Sequence, residues 1–136
     1  MAVLVDTNAL YALADADDPW HEQVVNYATS TNEILVVPVT VLPEIDYLIT
    51  RNLGTQASIA VLQEIAAGAF RLEVVTAEDV ARAIDVVKQY ADSDIGLVDA
   101  SIVAMAERLN ITRIMTRDQH FRMFRPRHHP FFELMP

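Results

Sequence analysis

Apolar residues recur along this chain at two different periods. Short runs rich in Val and Ile, namely Val3-Leu4-Val5, Ile34 to Val37, Phe70 to Val75 and Ile111 to Met115, read as buried strands of a parallel sheet. The segments between them carry apolar residues at helical spacing. A short helix covers Ala9 to Ala14, capped by Thr7 or Asn8. A second runs from Pro19 to about Thr29, with Asp18 as N-cap and Trp20, Val24, Tyr27 and Ala28 facing inward. A third is capped by Thr40, carries Pro43 in its first turn where N–H groups lack helical partners, and ends at Gly54 in a left-handed position. A fourth runs from Thr55 to Ala69 with Ile59, Leu62, Ile65 and Ala66 on one face. Thr76-Ala77-Glu78-Asp79 opens a fifth, with acids in its first turn, that continues to about Tyr90. Leu97 to Leu109 forms a sixth. Arg122 to Pro130 reads as irregular, and Phe131 to Leu134 as an edge strand.

Strands alternating with helices imply an α/β fold: a three-layer α/β/α sandwich around a central parallel sheet of four to five strands. The pattern shows no repeat and no linker, so residues 1–136 read as a single domain.

Composition narrows the classes. The chain is 52% hydrophobic, enough for a substantial core. Its longest apolar stretch, Ile34 to Ile45, is broken by Pro38, Thr40, Pro43 and Glu44 and is too short to span a membrane. The first residues carry no basic region, and Asp6 falls where a secretory signal would be apolar, so a cytoplasmic location is expected. The chain has no cysteine, which fits that location and excludes disulfides and thiolate metal sites. A net charge of −9 argues against generic nucleic-acid binding. The charge is uneven, however. Arg113, Arg117, Arg122, Arg125 and Arg127 are five of the ten Lys+Arg, and His128 and His129 follow directly.

Four acids fall at element boundaries. Asp6 and Asp118 each come at or just after a strand end. Glu44 and Asp99 each lie near a helix N-terminus. In a parallel sheet these positions share one edge, where open α/β sheets bind ligands. Several carboxylates cannot share a small volume as bare anions, because like charges raise their pKa values. A divalent cation resolves the conflict, and Mg²⁺ or Mn²⁺ suits hard oxygen donors and substrate phosphates. The expected chemistry is phosphodiester hydrolysis.

Each acid also has a plainer reading taken singly. Asp6 and Asp99 can serve a helix N-terminus, Asp118 can start a turn, and Glu44 can be a solvated helix residue. Glu44 stands out because it lies in a strongly apolar segment. Asp94, in the loop before Asp99, reads either as help for a second metal or as a solvated acid. Asp46 falls on the exposed side of its helix. Thr7, Asn8 and Thr116 stand one or two residues from an acid and can orient its carboxylate or a water, with capping the alternative for Thr7. Arg117 and Arg122 are candidates for phosphate contact, or for surface ion pairs. His21 reads as a surface residue. His120, His128 and His129 belong to the basic strip and match no zinc spacing.

These motifs resemble PIN-domain nucleases. The opening Val-Leu-Val-Asp6-Thr7-Asn8 is similar to theirs. So are the single Glu44 after the second strand, the stretch Gly96-Leu97-Val98-Asp99-Ala100-Ser101-Ile102, and the closing Thr116-Arg117-Asp118-Gln119-His120-Phe121, all in order. Within that family the chain resembles the VapC toxins of bacterial toxin–antitoxin pairs, including the basic Phe124-Arg125-Pro126-Arg127. The resemblance implies an endoribonuclease dependent on Mg²⁺, with Mn²⁺ as a substitute, and Asp6, Glu44, Asp99 and Asp118 as its metal-binding acids. It implies structured RNA as substrate, a cognate VapB-type antitoxin as inhibitor, and a homodimer. The antitoxin is expected against the helical pair Thr40 to Ala69. Gln119 departs from the basic residue that relatives often carry there.

Two other classes compete. A phosphotransfer or receiver site generally pairs its acids with a lysine at a strand end, but the one lysine, Lys88, falls in mid-helix. A non-catalytic protein that binds RNA or a partner is the other alternative. It has no need of mutually repelling carboxylates.

Overall fold

The computed structural model describes residues 1–136. The elements follow the expected alternation: β1 (Ala2–Val5), α1 (Thr7–Ala14), α2 (His21–Ser30), β2 (Ile34–Pro38), α3 (Val41–Leu53), α4 (Thr55–Ala66), β3 (Arg71–Glu73), α5 (Ala77–Gln89), α6 (Leu97–Leu109), β4 (Arg113–Met115), α7 (His120–Met123) and β5 (Glu133–Met135). A 3₁₀ turn at Ala91–Ser93 lies between α5 and α6. All five strands are parallel, in the order β3-β2-β1-β4-β5.

β1 is central and wholly apolar on both faces, with Val3, Leu4 and Val5 fully buried. That is why it reads as a continuous apolar run rather than an alternating one. The chain leaves β1 towards β2 and β3, then returns across the sheet to β4. Right-handed crossovers put α1 to α4 on one face and α5 with α6 on the other. Accordingly α1 packs on α2 and α3, α3 on α4, and α5 on α6. The crossovers diverge at β1 and β4, so the switch point of the sheet lies between their C-terminal ends. Beyond β4, the fully buried rings of Phe121 and Phe124 meet edge to face at 5.2 Å and anchor α7 to the core.

Several boundaries differ from expectation, each for a local reason. α1 begins at Thr7 because Asp6 is its N-cap, accepting from the Thr7 N–H at 2.8 Å. α2 begins at His21 rather than Pro19, since Asp18 Oδ1 accepts from the Trp20 N–H at 2.8 Å and caps a turn ahead of the helix. Thr40 makes no capping bond; its hydroxyl lies 2.8 Å from Ser101 Oγ on α6. α4 stops at Ala66, and Gly68 with φ of 92° turns the chain away. Its inward face is Ser58 and Ile65, while Ile59 and Ala66 are exposed. Ser58 sets that rotation by donating to Asp46 Oδ1 of α3 at 2.6 Å. β3 and β4 are shorter than their apolar runs. The segment after Arg122 is irregular only beyond α7, whose four residues already include Arg122. The last strand runs Glu133–Met135 rather than Phe131 to Leu134, because its pairing register with β4 starts at Arg113↔Glu133.

Candidate metal centre

The crevice at the switch point has a volume of about 510 Å³ and is lined by Asp6, Glu44, Asp99 and Asp118. The sheet places two of these acids and the helices place the other two. Asp6 directly follows β1. Asp118 follows β4, in the turn before α7. Glu44 and Asp99 sit in the first turns of α3 and α6. Thr7, Asn8, Tyr11, Asp18, Trp20, Leu48, Asn52 and Arg117 complete the walls.

Asp6 is the best-held acid. It is buried, and both its oxygens are engaged. Oδ1 accepts from the Thr7 N–H at 2.8 Å, and Oδ2 accepts from Thr116 Oγ1 at 2.8 Å and, more loosely, from Asn8 Nδ2 at 3.4 Å. The same Thr116 oxygen accepts from the Asp118 N–H at 3.0 Å and from Asn8 Nδ2 at 3.2 Å. Asn8 Oδ1 accepts from the Arg117 N–H at 3.3 Å. Thr116 and Asn8 therefore tie the end of β1 to the end of β4. Thr7 contributes its backbone N–H; its hydroxyl is buried without a partner.

Two of the four acids are disfavoured as anions. Burial pushes the Asp6 carboxyl up to about 6 from 3.8; Thr116 and Thr7 oppose the rise, while the charges of Asp118 and Glu44 add to it. Burial raises Asp99 to about 7; Asp6 and Asp118 push it further, His120 opposes, and Glu44 adds to the rise. A divalent cation would reverse both shifts. The donor set fits one: all four acids line the crevice, and the ligating atoms of Asp99, Asp118 and His120 lie within 4.8 Å of one another.

The other expected site residues divide. Arg117 reaches the crevice. Its guanidinium lies over the Trp20 ring, 5.2 Å from the centroid, and Nη1 is 3.6 Å from Asp18 Oδ1. Arg122 does not line the crevice; it donates from Nε to Gln119 Oε1 at 2.8 Å. Asp94 is exposed in a left-handed conformation, with φ of 54°, and is not part of the crevice wall. Arg113 is committed to Glu33 and Glu133 at the opposite end of the sheet. His21 is half-buried rather than on the surface, its Nδ1 lying 2.7 Å from the Ala12 carbonyl oxygen. The sequence reading missed Trp20 as a crevice residue and His120 as a neighbour of Asp99 and Asp118. The available signal was the Asp118-Gln119-His120 spacing, which suits a turn closed by the His120 N–H donating to Asp118 Oδ1 at 2.9 Å.

The chain belongs to the PIN domain family, which it matches over residues 3–125. It is 38% identical over 125 residues to Ribonuclease VapC26 of Mycobacterium tuberculosis, with 91% of this chain and 93% of that protein covered. Solved structures share the fold. VapC20 of Mycobacterium tuberculosis, described as a sarcin-ricin loop cleaving toxin, superposes with a TM-score of 0.81 at 24% identity, covering 87% of this chain and 91% of that one. VapBC2 of Rickettsia felis, solved bound to a DNA fragment from its promoter, superposes with a TM-score of 0.71 at 16% identity over 100% of both chains.

Proposed function

We propose that this protein is a metal-dependent endoribonuclease of the VapC type, the toxin of a toxin–antitoxin pair, acting as a single PIN domain in the cytoplasm. The observation that carries the reading is the gathering of Asp6, Glu44, Asp99 and Asp118 in the wall of one crevice, where burial disfavours Asp6 and Asp99 as anions. The relation to Ribonuclease VapC26 supplies the substrate class.

In this reading those four acids hold Mg²⁺, or Mn²⁺ in its place. The cation, when bound, supplies activation of water and neutralises charge developing on the phosphate. The reaction is hydrolysis: an oxygen of water bonds to phosphorus and one phosphodiester P–O bond breaks. Thr116 and Asn8 fix the rotation of the Asp6 carboxylate. Arg117 stands on the rim as the phosphate-binding cation, held in place by Trp20 and Asp18. Arg122 lies outside the crevice, so any RNA contact it makes is peripheral.

The α3–α4 pair is the docking face for a VapB-type antitoxin. It presents Tyr47, 62% exposed, and Ile59, 40% exposed, beside the crevice wall formed by Leu48 and Asn52. The Rickettsia felis neighbour is itself a VapBC complex. The working form is a homodimer.

The test is cleavage of total cellular RNA by purified protein with Mg²⁺ or Mn²⁺, read by end-sequencing, beside EDTA and Asp99→Asn controls. Discrete cuts that vanish in both controls support the reading. Metal binding without any cleavage, in protein shown to be free of antitoxin, would favour a binding role instead.

A further inference from the structure

We propose that His120 Nδ1 is a metal donor alongside Asp99 and Asp118, making one cation position of the crevice a mixed oxygen–nitrogen site that prefers Mn²⁺ to Mg²⁺. The proposal rests on the metal-dependent reading above and adds a nitrogen to its four carboxylates.

Three observations carry it. The candidate donor atoms of Asp99, Asp118 and His120 all lie within 4.8 Å of one another, close enough to meet on one ion. His120 Nδ1 is buried, lies 3.0 Å from Asp118 Oδ1, and still makes no hydrogen bond. The imidazole is 42% exposed overall, but its Nδ1 is turned from solvent towards the carboxylates of Asp118 and Asp99, the arrangement of a donor to a shared ion. Finally, the imidazole is delivered by a fixed element. The His120 N–H donates to Asp118 Oδ1 at 2.9 Å, and the next residue, Phe121, is fully buried in the core. The other three imidazoles each bond a carbonyl through one nitrogen, His21 to Ala12, His128 to Ile111 and His129 to Phe131; His128 Nδ1 is likewise buried without a partner, but only His120 stands in a cluster of acids.

The choice of ion follows from donor chemistry. Mg²⁺ favours oxygen ligands and retains its waters. Imidazole nitrogen suits first-row transition metals, so adding it to two carboxylates moves the preference towards Mn²⁺ and later ions. A protonated His120 that merely pairs with Asp118 would instead be displaced by a cation and would coordinate nothing.

Pulsed electron paramagnetic resonance of the full chain loaded with Mn²⁺ decides between these. Wild-type protein should show a nitrogen coupling to Mn²⁺ that changes when its histidines are ¹⁵N-labelled, and that disappears in His120→Gln. By calorimetry, His120→Gln should weaken Mn²⁺ binding by about tenfold or more, the loss that follows even removal of an outer partner of a metal ligand, with Mg²⁺ binding changed by no more than about twofold. Circular dichroism checks that the variant is folded, and His120→Asn serves as the second variant if it is not. Mn²⁺ binding without nitrogen coupling overturns the proposal and leaves the carboxylate site standing. Coupling that survives in His120→Gln also overturns it. Absence of any Mn²⁺ binding overturns both this proposal and the metal-dependent reading beneath it.

Discussion

Thr116 Oγ1 donates to Asp6 Oδ2 at 2.8 Å, joining residues 110 positions apart across the seam between β1 and β4. The bond stabilises the Asp6 anion against burial, and the same oxygen receives the Asp118 N–H. Thr116→Val should therefore raise the Asp6 pKa above its wild-type value, as followed by carboxyl carbon NMR in metal-free protein. Metal affinity should fall by about tenfold, the usual cost of losing a residue that orients a ligand. An unchanged Asp6 titration would show that the hydroxyl only fills space.

Metal-free protein should lose stability as the pH rises from about 4 to about 7. Asp6 and Asp99 titrate near 6 and 7 in the folded protein against 3.8 as free groups, so the native state binds their protons more tightly than the unfolded chain. Their stabilising contribution is complete below about pH 4 and is lost as each ionises. For Asp6 the displacement from 3.8 to about 6 is worth about 3 kcal/mol. Asp79 and Glu107 act in the opposite sense: arginine partners hold their pKa values low against burial, so they contribute above their ordinary range and fail in acid. Urea unfolding across this range in EDTA checks the decline, and added Mn²⁺ should abolish it.

Asp99→Asn should separate stability from activity. The substitution removes a carboxyl that burial and three neighbouring acids disfavour as an anion. Above pH 7 the metal-free variant should melt at or above the wild-type temperature. RNA cleavage should fall by about a hundredfold or more, corresponding to the loss of several kcal/mol of charge stabilisation. A stable variant with full activity would remove Asp99 from the chemistry.

Arg117→Lys tests the rim. Lysine keeps the charge but loses the planar stacking on Trp20. KM for RNA should rise several-fold, while kcat and metal affinity stay near wild type. Arg117→Ala should add a shallower dependence of RNA binding on salt, by about one phosphate contact. A change confined to kcat would place Arg117 in the reaction itself.

Far from the crevice, Arg108 holds the start of α5. Its Nε and Nη2 each donate to Asp79 at 2.9 Å, and Nη2 also donates to the Val74 carbonyl at 3.1 Å. Asp79 is buried and shares a capping box with Thr76. Arg108→Ala should cost about 2 kcal/mol in denaturant unfolding by leaving that carboxylate unpaired, with cleavage unaffected in the folded enzyme.

Much of this arrangement was legible in the sequence because a parallel sheet sorts its elements by order. Asp6 and Asp118 end strands, Glu44 and Asp99 open helices, and element order alone sends all four to one edge. Helix α6 matched its apolar spacing from Leu97 to Leu109. What escaped depends on side chains meeting across elements. Ser58 binding Asp46 decided the rotation of α4, and no periodicity encodes that bond. Thr40 looked like a cap, but its hydroxyl pairs with Ser101 from the far side of the chain. His120 falls in sequence among arginines, whereas a turn at Asp118 brings its Nδ1 to 3.0 Å from the Asp118 carboxylate. Asp94 lies near Asp99 in sequence, yet its left-handed backbone leaves it exposed and outside the crevice.

The seam between β1 and β4 also sets an order of events during synthesis. Thr116 and Asp118 are translated more than a hundred residues after Asp6. Until β4 emerges from the ribosome, the Asp6 carboxylate lacks its Thr116 partner and that side of the crevice stays open. A growing chain can thus assemble β1, β2 and their helices before the crevice is complete. The crevice is completed only when β4 has joined the sheet beside β1.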